Sequence, residues 1–415
     1  MRLLVVSQYF WPENFRINDL VAELGERGHQ VTVLTGLPNY PQGDLFDEFR
    51  KHPSAFSAFA GARVVRVPMV LRKSGRLRLL LNYLTFAISA AVAGAWKLRG
   101  ERFDAIFVFQ PSPVTSVLPA LLLRATKRAP LLLWVLDLWP DTLAAVGVVR
   151  SPAVLALVGR LVAFIYRRCE RILVPAQSSF ANVERYAGNR SRIRYFPGWA
   201  EPVFDAPADN ATPAPELASL RERFVVLFAG NVGEAQDFPA VLDAVERLRD
   251  VADVRWVVVG DGRMSAWLDA EIERRGLREC VLPLGRFPID RMPDFFRAAS
   301  ALLVSLKGEP VFAMTIPAKV QAYLAAGTPV LAMLDGEGAR VVAESGGGLV
   351  CPAGRGDLLA ARVLELRALS PEARSAMSQR GQAYCRAAFN RATLVGQLEG
   401  WLEEAVAERR EKASA

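Results

Sequence analysis

The stretch from Ser305 to Pro352 reads SLKGEPVFAMTIPAKVQAYLAAGTPVLAMLDGEGARVVAESGGGLVCP, and its segments alternate as strand, loop, helix, strand, loop, helix. Pro317 in the first turn and Gly327 just past the last turn bracket the first helix. A helix that starts at the edge of a sheet presents unpaired N–H groups, which attract phosphate. Gly336 and Gly338 mark a second such start, where a ligand can approach the backbone. Two helix starts one strand apart favour a diphosphate ligand, although most helix starts in doubly wound folds bind nothing.

Apolar runs with the length of buried strands recur along the whole chain, separated by helix-length connections. This pattern is typical of a parallel sheet covered by helices on both faces. The first series comprises Leu3–Ser7, Val31–Thr35, Val64–Val67, Ala105–Phe109, Leu131–Val135, Ile172–Pro175 and Ile193–Phe196. The second comprises Phe224–Ala229, Val254–Val259, Cys280–Leu284, Ala301–Ser305, Pro329–Met333 and Gly348–Cys351. Between them, Glu201–Pro215 has the composition of a linker. We therefore predict an α/β protein with two doubly wound domains, 1–200 and 201–387, that face a ligand cleft.

The composition fits this organisation. With 415 residues the chain is longer than one hydrophobic core supports. The chain has 52% hydrophobic and 23% charged residues, a composition typical of a folded protein. Disorder is expected only over the segment Glu408–Ala415, whose residues are small or charged. The four cysteines lie far apart without CxxC spacing, which predicts neither a zinc site nor a disulfide framework and favours a reducing cytoplasm.

The net charge of +8 is concentrated in the first half of the chain. Two apolar segments there, Leu79–Leu98 and Val154–Tyr166, have basic flanks, as peripheral membrane proteins do. The basic residues are not interleaved with aromatic ones, so a membrane is favoured over nucleic acid. Leu79–Leu98 is long enough to span a bilayer. Because Asn82, Thr85 and Ser89 interrupt it, we predict a packed or interfacial helix, with a transmembrane span as the alternative.

Carboxylates are the best candidates for acid–base chemistry. The chain has only two histidines and contains neither G-x-G-x-x-G nor a P-loop motif. Asp137 and Asp141 follow the run Leu131–Val135 and so lie at the C-terminal end of a strand. Asp141 has an alternative role as the cap of the next helix. Asp137 lies beside Trp139 at the end of an apolar strand, where burial of its charge would cost free energy unless it bound a partner or a substrate hydroxyl.

Five motifs follow one another along the chain: SQYFWPENFRINDL at 7–20, TGLPNYP at 35–41, DLWPD at 137–141, FAGNVGEAQD at 228–237 and IPAK at 316–319. In these motifs the chain resembles the retaining GT-B glycosyltransferases of family 4, over nearly its full length. Within that family it is most similar to the WbuB-type, L-fucosamine-transferase-like enzymes of bacterial surface-polysaccharide pathways. The resemblance implies a GT-B fold, with the donor in the C-terminal domain and the acceptor in the N-terminal domain. It also implies a final helix, about 388–415, that crosses back to the first domain.

The resemblance also implies roles on the donor side. Glu309 is expected to meet sugar or ribose hydroxyls, and Lys319 to neutralise the diphosphate, with Arg16 and Lys307 as alternatives. Arg286 and Phe287 are expected to border the nucleobase. Further donor contacts are expected from Gly230, Asn231, Gly233, Gln236, Thr315, Gly336, Glu337 and Gly338. The chain departs from the family pattern at three positions: Ala322 replaces the second glutamate of the usual pair, and Asn231 and Gln236 replace the usual Arg and Lys.

On the acceptor side, the resemblance places Asp137 near the reacting hydroxyl. Acceptor contacts are expected from Arg16, Asn18, Asn39, Trp139 and Asp141. The implied donor is a UDP-sugar carrying an N-acetylated deoxyamino sugar, and the implied acceptor is a polyprenyl-diphosphate-linked glycan at the anionic inner face of the cytoplasmic membrane. No metal is expected, since the chain lacks an Asp-x-Asp near a strand end and a His/Cys cluster. Two alternatives stay open: a GT-B nucleotide-sugar epimerase and a non-catalytic binding protein.

Overall fold

The structure, a computed structural model, describes residues 1–41, 43–73, 75–145, 147–204 and 214–414, with the backbone alone at Arg76 and Ala413. The chain divides into two units, Met1–Phe196 with Arg391–Ala415, and Pro197–Asn390. These boundaries lie within four residues of the predicted ones. Most of the predicted linker, Glu201–Pro215, falls outside the described residues.

An eight-stranded sheet forms the centre of the first unit. Its strands are β1 (Arg2–Ser7), β2 (Gln30–Thr35), β3 (Ala58–Phe59), β4 (Ala62–Arg66), β5 (Ala105–Gln110), β6 (Leu131–Val135), β7 (Arg171–Val174) and β8 (Ile193–Tyr195). The strand order is β3-β4-β2-β1-β5-β6-β7-β8, and only the β3–β4 pair is antiparallel. The inner strands consist of apolar residues because helices cover both faces of the sheet, and Leu3 to Val6 of β1 are fully buried.

The helices of the first unit connect successive strands. They are α1 (Arg16–Glu26), α2 (Asp47–Lys51), α3 (Arg76–Ser89), α4 (Ala95–Lys97), α5 (Leu118–Lys127), α6 (Asp141–Ala145), α7 (Pro152–Tyr166) and α8 (Ser179–Ala187). A π-helical turn, Ala90–Gly94, joins α3 to α4. A Cβ at Gly94 would lie 2.9 Å from Leu34 Cδ2, so glycine lets this turn approach β2.

A six-stranded parallel sheet forms the centre of the second unit. Its strands are β9 (Phe224–Ala229), β10 (Val254–Val259), β11 (Val281–Gly285), β12 (Ala301–Ser305), β13 (Val330–Met333) and β14 (Gly348–Cys351), in the order β11-β10-β9-β12-β13-β14. The helices that follow are α9 (Phe238–Arg247), α10 (Ser265–Arg274), α11 (Met292–Ala298), α12 (Pro310–Ala313), α13 (Ala318–Ala326), α14 (Glu337–Ser345), α15 (Gly356–Ala368) and α16 (Pro371–Ala388). Gly327 and Gly346 end α13 and α14 in the left-handed region, with φ of +72° and +57°.

The predicted α/β architecture of two parallel sheets is confirmed, and each predicted strand lies within two residues of an observed one. The prediction of a disordered C-terminus is wrong. The last helix, α17 (Arg391–Ser414), belongs to the first unit and continues through this segment as far as Ser414. It is held there because Leu394, Leu398 and Leu402 are buried and Arg171 pairs with Glu408 at 2.5 Å.

One helical stretch among the described residues is long and apolar enough to cross a bilayer. It runs from Leu77 to Lys97, with a mean hydropathy of 1.6, and 28% of its apolar window is buried. A core helix of a soluble protein can meet the same test of length and composition.

Candidate functional site

In the second unit, the sheet reverses its winding direction between β9 and β12. β10 and β11 extend from β9 on one side, and β12 to β14 lie on the other. The carboxyl edge at such a reversal is the usual position of the ligand crevice in doubly wound sheets. Two hydrogen bonds join the loops after β9 and β12: the Lys307 N–H donates to Ala235 O at 2.8 Å, and Ser305 Oγ donates to Gln236 O at 2.6 Å.

The loop after β9 packs backbone to backbone on the loop after β10. A Cβ at Gly260 would overlap the carbonyl of Gly230, so a side chain there would separate the loops. Within the β9 loop, the Gly233 N–H donates to Gln236 Oε1 at 3.1 Å. The Gln236 side chain is therefore engaged by its own loop, whereas Asn231 is exposed.

Lys319 in the first turn of α13 faces the β9 loop. Its Nζ lies 3.5 Å from the centroid of the Phe228 ring, and a Cβ at Gly230 would come within 2.6 Å of its Cε. No carboxylate of the described residues forms an ion pair with it. Burial lowers the pKa of the ammonium to about 7. A cation at a helix N-terminus opposes the helix dipole, so the position favours an anion that would neutralise both.

Glu309 and Lys307 lie in the loop that follows β12. Glu309 immediately precedes the short helix α12, is partly buried, and has no cationic partner among the described residues. The Lys307 ammonium lies 3.8 Å from the Glu234 carboxylate and is 41% exposed. Lys307 is therefore already paired at the surface, which leaves Lys319 as the better candidate for a ligand charge.

The second predicted helix start, at Gly336–Gly338, is packed against protein. A Cβ at Gly336 would overlap the Ala313 carbonyl, and one at Gly338 would lie 2.8 Å from Leu334 Cδ1. The Glu337 carboxylate is buried and accepts from Arg340 at 2.6 Å. These glycines allow close contact with the preceding loop, where Thr315 Oγ1 donates to Phe312 O at 2.9 Å.

Arg286 and Phe287 follow the edge strand β11. The Phe287 ring packs edge-on against Phe295 at 4.8 Å between centroids, so one side of it is held by the protein. Arg286 is exposed and close enough to Asp261 to help lower the pKa of that carboxyl, after the hydrogen bonds from Ser265 and the Gly262 N–H.

In the first unit, the corresponding reversal lies between β1 and β5. Asp137 follows β6, the next strand along. Burial raises the pKa of its carboxyl, although hydrogen bonds with Thr142, Trp139 and Ser112 oppose that rise. The Trp139 indole N–H donates to Asp137 Oδ2 at 2.9 Å. The side chains of Asp137 and Trp139 are thus in direct contact, in agreement with their closeness in the sequence.

The other predicted acceptor contacts have partners within the unit. Asp141 Oδ2 accepts from Asn182 at 2.7 Å and from Arg185 at 2.8 Å, which ties α6 to α8. Asn18 accepts from the Trp11 N–H and donates to Glu13 O, so it shapes the loop after β1.

Asn39 and Arg16 lie in the segments that follow β2 and β1, at the same edge of the sheet. Asn39 is fully buried, donates to Leu37 O at 2.6 Å, and accepts from the Arg72 N–H at 3.0 Å. Arg16 is the first residue of α1.

A line of polar side chains at this edge was not predicted. Tyr83 is hydrogen-bonded to Ser112, which is in turn hydrogen-bonded to Asp137. The Arg72 guanidinium lies 5.1 Å from the Tyr40 ring centroid and has no carboxylate partner among the described residues. Burial raises the pKa of Tyr83, and the charge of Arg72 opposes this. The hydrogen-bonded chain Tyr83–Ser112–Asp137 thus lies within reach of the charge of Arg72.

Glu13, in the loop after β1, was not predicted to have a role of its own. Its buried carboxylate accepts from the backbone N–H groups of Phe10, Asn39 and Tyr40 at 3.0, 2.8 and 2.7 Å. Burial raises the pKa of Glu13 to about 7, against the pull of these amides and of Arg66. Glu13 therefore joins the loops that follow β1 and β2.

No group of three or more His, Cys, Asp or Glu side chains among the residues that the structure describes is arranged to hold a metal ion.

Comparison with known proteins agrees with this organisation. Residues 14–199 match the glycosyl transferase 4-like domain family, and residues 223–368 match the family of glycosyl transferases group 1. The chain is 25% identical to the probable glycosyltransferase WbjE of Pseudomonas aeruginosa over 75% of this chain and 80% of that protein. It is 26% identical to WcaI of Escherichia coli K12, described as a putative colanic acid biosynthesis glycosyl transferase, over 79% of this chain and 82% of WcaI.

Solved structures share the fold. HepE of Anabaena, in complex with UDP and glucose, superposes with a TM-score of 0.65 at 17% identity, over 97% of this chain and 99% of HepE. WaaG, a glycosyltransferase involved in lipopolysaccharide biosynthesis, superposes with a TM-score of 0.62 at 16% identity, over 96% and 98%. Both sheets of the present chain thus match the GT-B architecture. Residues 14–199 and 223–368 thus match, in that order, a glycosyl transferase 4-like domain and a glycosyl transferase group 1 domain.

Proposed function

We propose that the chain transfers a sugar, with retention of configuration, from a UDP-sugar to a membrane-associated, lipid-linked glycan in bacterial surface-polysaccharide synthesis. The observation that carries the proposal is Lys319, a desolvated ammonium without a carboxylate partner among the described residues, at the N-terminus of α13. A nucleoside diphosphate supplies the missing negative charge. The UDP bound to HepE supports a uridine nucleotide, and the family resemblance supports an N-acetylated deoxyamino sugar.

In this mechanism the second unit stabilises the leaving group. As the bond from the anomeric carbon to the diphosphate oxygen breaks, negative charge grows on the phosphate, and Lys319 with the first-turn amides of α13 stabilises it. The acceptor oxygen forms the new bond on the same face of the sugar, and its proton moves to the leaving phosphate oxygen. Glu309 holds a hydroxyl of the sugar or ribose. Positioning and electrostatics together supply the catalysis.

The acceptor is bound by the first unit. Asp137, hydrogen-bonded to Ser112 and Trp139, orients the acceptor hydroxyl. Arg72 provides a cation for the phosphate of a lipid carrier. The rings of Tyr9, Phe15 and Tyr40, with centroids 5.2 to 5.5 Å apart, offer an apolar wall beside it. The names of WcaI and WaaG, which concern colanic acid and lipopolysaccharide, support this class of acceptor.

A panel of nucleotide sugars tests the proposal. We expect one UDP-sugar to raise the melting temperature of the protein and to be hydrolysed slowly to UDP without acceptor, because a bound ligand stabilises the native state by mass action. Conversion of the donor sugar into an epimer would contradict transfer and favour the epimerase. Failure of every nucleotide sugar to bind would favour a non-catalytic protein.

We also propose that the reaction needs no divalent cation. Since Lys319 and the α13 amides carry the charge of the diphosphate, we expect transfer to continue at its usual rate in EDTA. The measurement is the initial rate with and without the chelator. A rate that is lost in EDTA and restored by Mg²⁺ or Mn²⁺ contradicts this expectation.

We further propose that the chain binds peripherally to the inner face of the cytoplasmic membrane through its first unit. Large apolar side chains spaced about one helical turn apart along Leu77–Lys97 are exposed, among them Ile88 (63%), Val92 (68%) and Trp96 (64%). An exposed apolar stripe with basic residues nearby suits an anionic bilayer surface. Arg78, Lys97 and Arg99 supply those charges.

Replacing Ile88 and Val92 with serine is expected to reduce flotation with anionic vesicles at both low and high salt, because inserted apolar area is not screened. Replacing Arg78, Lys97 and Arg99 with glutamine should reduce flotation at low salt only. The pair Ile289→Ser and Leu364→Ser, exposed apolar positions on the second unit, is the control and should leave flotation unchanged. Equal loss in the control, or no flotation of the parent protein, would contradict membrane binding.

A further inference from the structure

A basic cavity of about 200 Å³ lies in the first unit, away from the candidate acceptor residues. Ten residues line it, of which seven are Arg or Lys and two are Glu. The cavity is far larger than the roughly 15 Å³ that one water molecule needs. A concave surface with this excess of cations concentrates anions from solution.

The cavity lies at the amino edge of the sheet. Its lining residues Arg167 to Arg171 lead into β7, and Arg192 directly precedes β8. Asp137 follows the carboxyl end of β6, the strand beside β7. Five residues of strand separate the two edges, which is roughly 16 Å at the usual rise per residue. The cavity is therefore distinct from the site at the carboxyl edge.

Two ion-paired groups form the rigid part of the cavity. Glu170 accepts from Arg124 at 2.5 Å and from the Leu131 N–H at 2.8 Å. Arg171, 6% exposed, donates to Glu408 at 2.5 Å, which fixes α17 beside β7. The buried Nε of Arg171 donates no hydrogen bond to any residue that the structure describes. The Nε–H of Arg171 is therefore a hydrogen-bond donor in the cavity lining that the internal ion pairs do not use.

Four further cations have no carboxylate within ion-pairing distance in the described part of the chain: Arg167, Arg168, Arg192 and Lys412. Two of them are held in place by carbonyl groups. Arg192 donates to Arg167 O at 3.0 Å, and Arg168 donates to Phe164 O at 2.9 Å while lying over the Phe164 ring. Cations held this close together repel one another, and a bound anion would offset that repulsion. The planar guanidinium group of arginine can donate two hydrogen bonds to a phosphate, which makes phosphate a suitable anion.

We propose that this cavity binds a phosphate-bearing anion, as a second ligand site of the first unit. The anion is either a soluble diphosphate or the phosphate of an anionic lipid headgroup. Phe164 and Leu157, exposed on α7 at 45% and 65%, lie on the helix that leads into the cavity and would contact the acyl region in the second case. The proposal does not depend on the proposed transferase activity.

Titration calorimetry with inorganic pyrophosphate tests the site. The parent chain carries Lys319→Met, so that the candidate donor site does not contribute. We expect saturable binding that Arg167→Gln/Arg168→Gln/Arg192→Gln weakens at least tenfold. The matched control, Arg247→Gln/Arg297→Gln/Arg386→Gln, removes the same charge from exposed positions of the second unit and should change the affinity less than twofold. Should the triple variant fold poorly by circular dichroism, Lys412→Gln alone is expected to weaken binding at least threefold.

Absence of binding to the parent, or equal weakening in the control, overturns the proposal. Flotation then identifies the source of the phosphate. If the cavity variant also floats less than the control with phosphatidylglycerol vesicles, and neither changes with phosphatidylcholine, the ligand is a lipid headgroup. If only pyrophosphate binding is lost, the ligand is a soluble diphosphate.

Discussion

Replacing Lys319 with methionine is expected to lower kcat/KM for sugar transfer at least tenfold, about 1.4 kcal/mol of transition-state stabilisation. The same change is expected to stabilise the folded protein at pH 7. Both effects have one cause, because the ammonium is desolvated beside Phe228 and no carboxylate among the described residues neutralises its charge. Methionine fills the same space without the charge and removes the desolvation cost.

The pH dependence of stability gives a second readout of Lys319. Its pKa is about 7 in the folded chain and 10.5 in a model lysine. Between these values the unfolded chain binds more protons, so the free energy of unfolding rises with pH across that window. The desolvation cost is complete below pH 7 and absent above about pH 10.5. Lys319→Met should lack this rise and should exceed the parent in stability by at least about 1 kcal/mol at pH 7.

The parent protein and Lys319→Met are compared by urea unfolding at several pH values and by the kinetics of sugar transfer. Lys51→Met, on an exposed lysine paired with Glu48, should change neither the activity nor the pH dependence. Lys307→Met distinguishes the contribution of Lys307 to diphosphate binding from that of Lys319. If it reduces transfer more than Lys319→Met does, the diphosphate lies at Lys307 and the assignment of Lys319 is wrong.

The strands were predictable because burial on both faces of a parallel sheet leaves continuous apolar runs, such as Phe224–Ala229 and Leu131–Val135. The position of Lys319 in the first turn of α13 was predictable for a related reason, since the Pro-x-Lys segment after the β12 loop indicates a helix start at the carboxyl edge. These features depend on residues that are near each other in the sequence.

The missed features depend on contacts between distant segments. Glu13 lies in a loop by its sequence, and two of its three amide donors, Asn39 and Tyr40, are 26 and 27 residues away. The C-terminal segment reads as disordered because its composition is charged, yet Glu408 pairs with Arg171 at a separation of 237 residues. The basic cavity is likewise formed by residues from both chain segments of the first unit, between 124 and 192 and between 408 and 412.

Replacing Glu13 with alanine is expected to destabilise the protein by about 3 kcal/mol at pH 7. The change leaves the three buried N–H groups of Phe10, Asn39 and Tyr40 without their acceptor, and it removes the carboxylate that faces Arg66. Arg66 itself is held by the carbonyls of Gly36 and Trp11, and burial already lowers its pKa to about 10. Glu13→Gln keeps one acceptor oxygen and should cost about 1 kcal/mol.

The pH dependence of Glu13 runs opposite to that of an ordinary paired carboxylate. Its pKa is about 7 in the folded chain and 4.5 in a model glutamate, so between these values the folded chain binds more protons. Its contribution to the free energy of unfolding therefore falls as pH rises from 4.5 to 7, and the difference between parent and Glu13→Gln should shrink over that window. Glu26→Ala, an exposed position on α1, is the control and should stay within about 0.5 kcal/mol of the parent. A Glu13→Ala variant as stable as this control would show that the loops after β1 and β2 keep their conformation without Glu13.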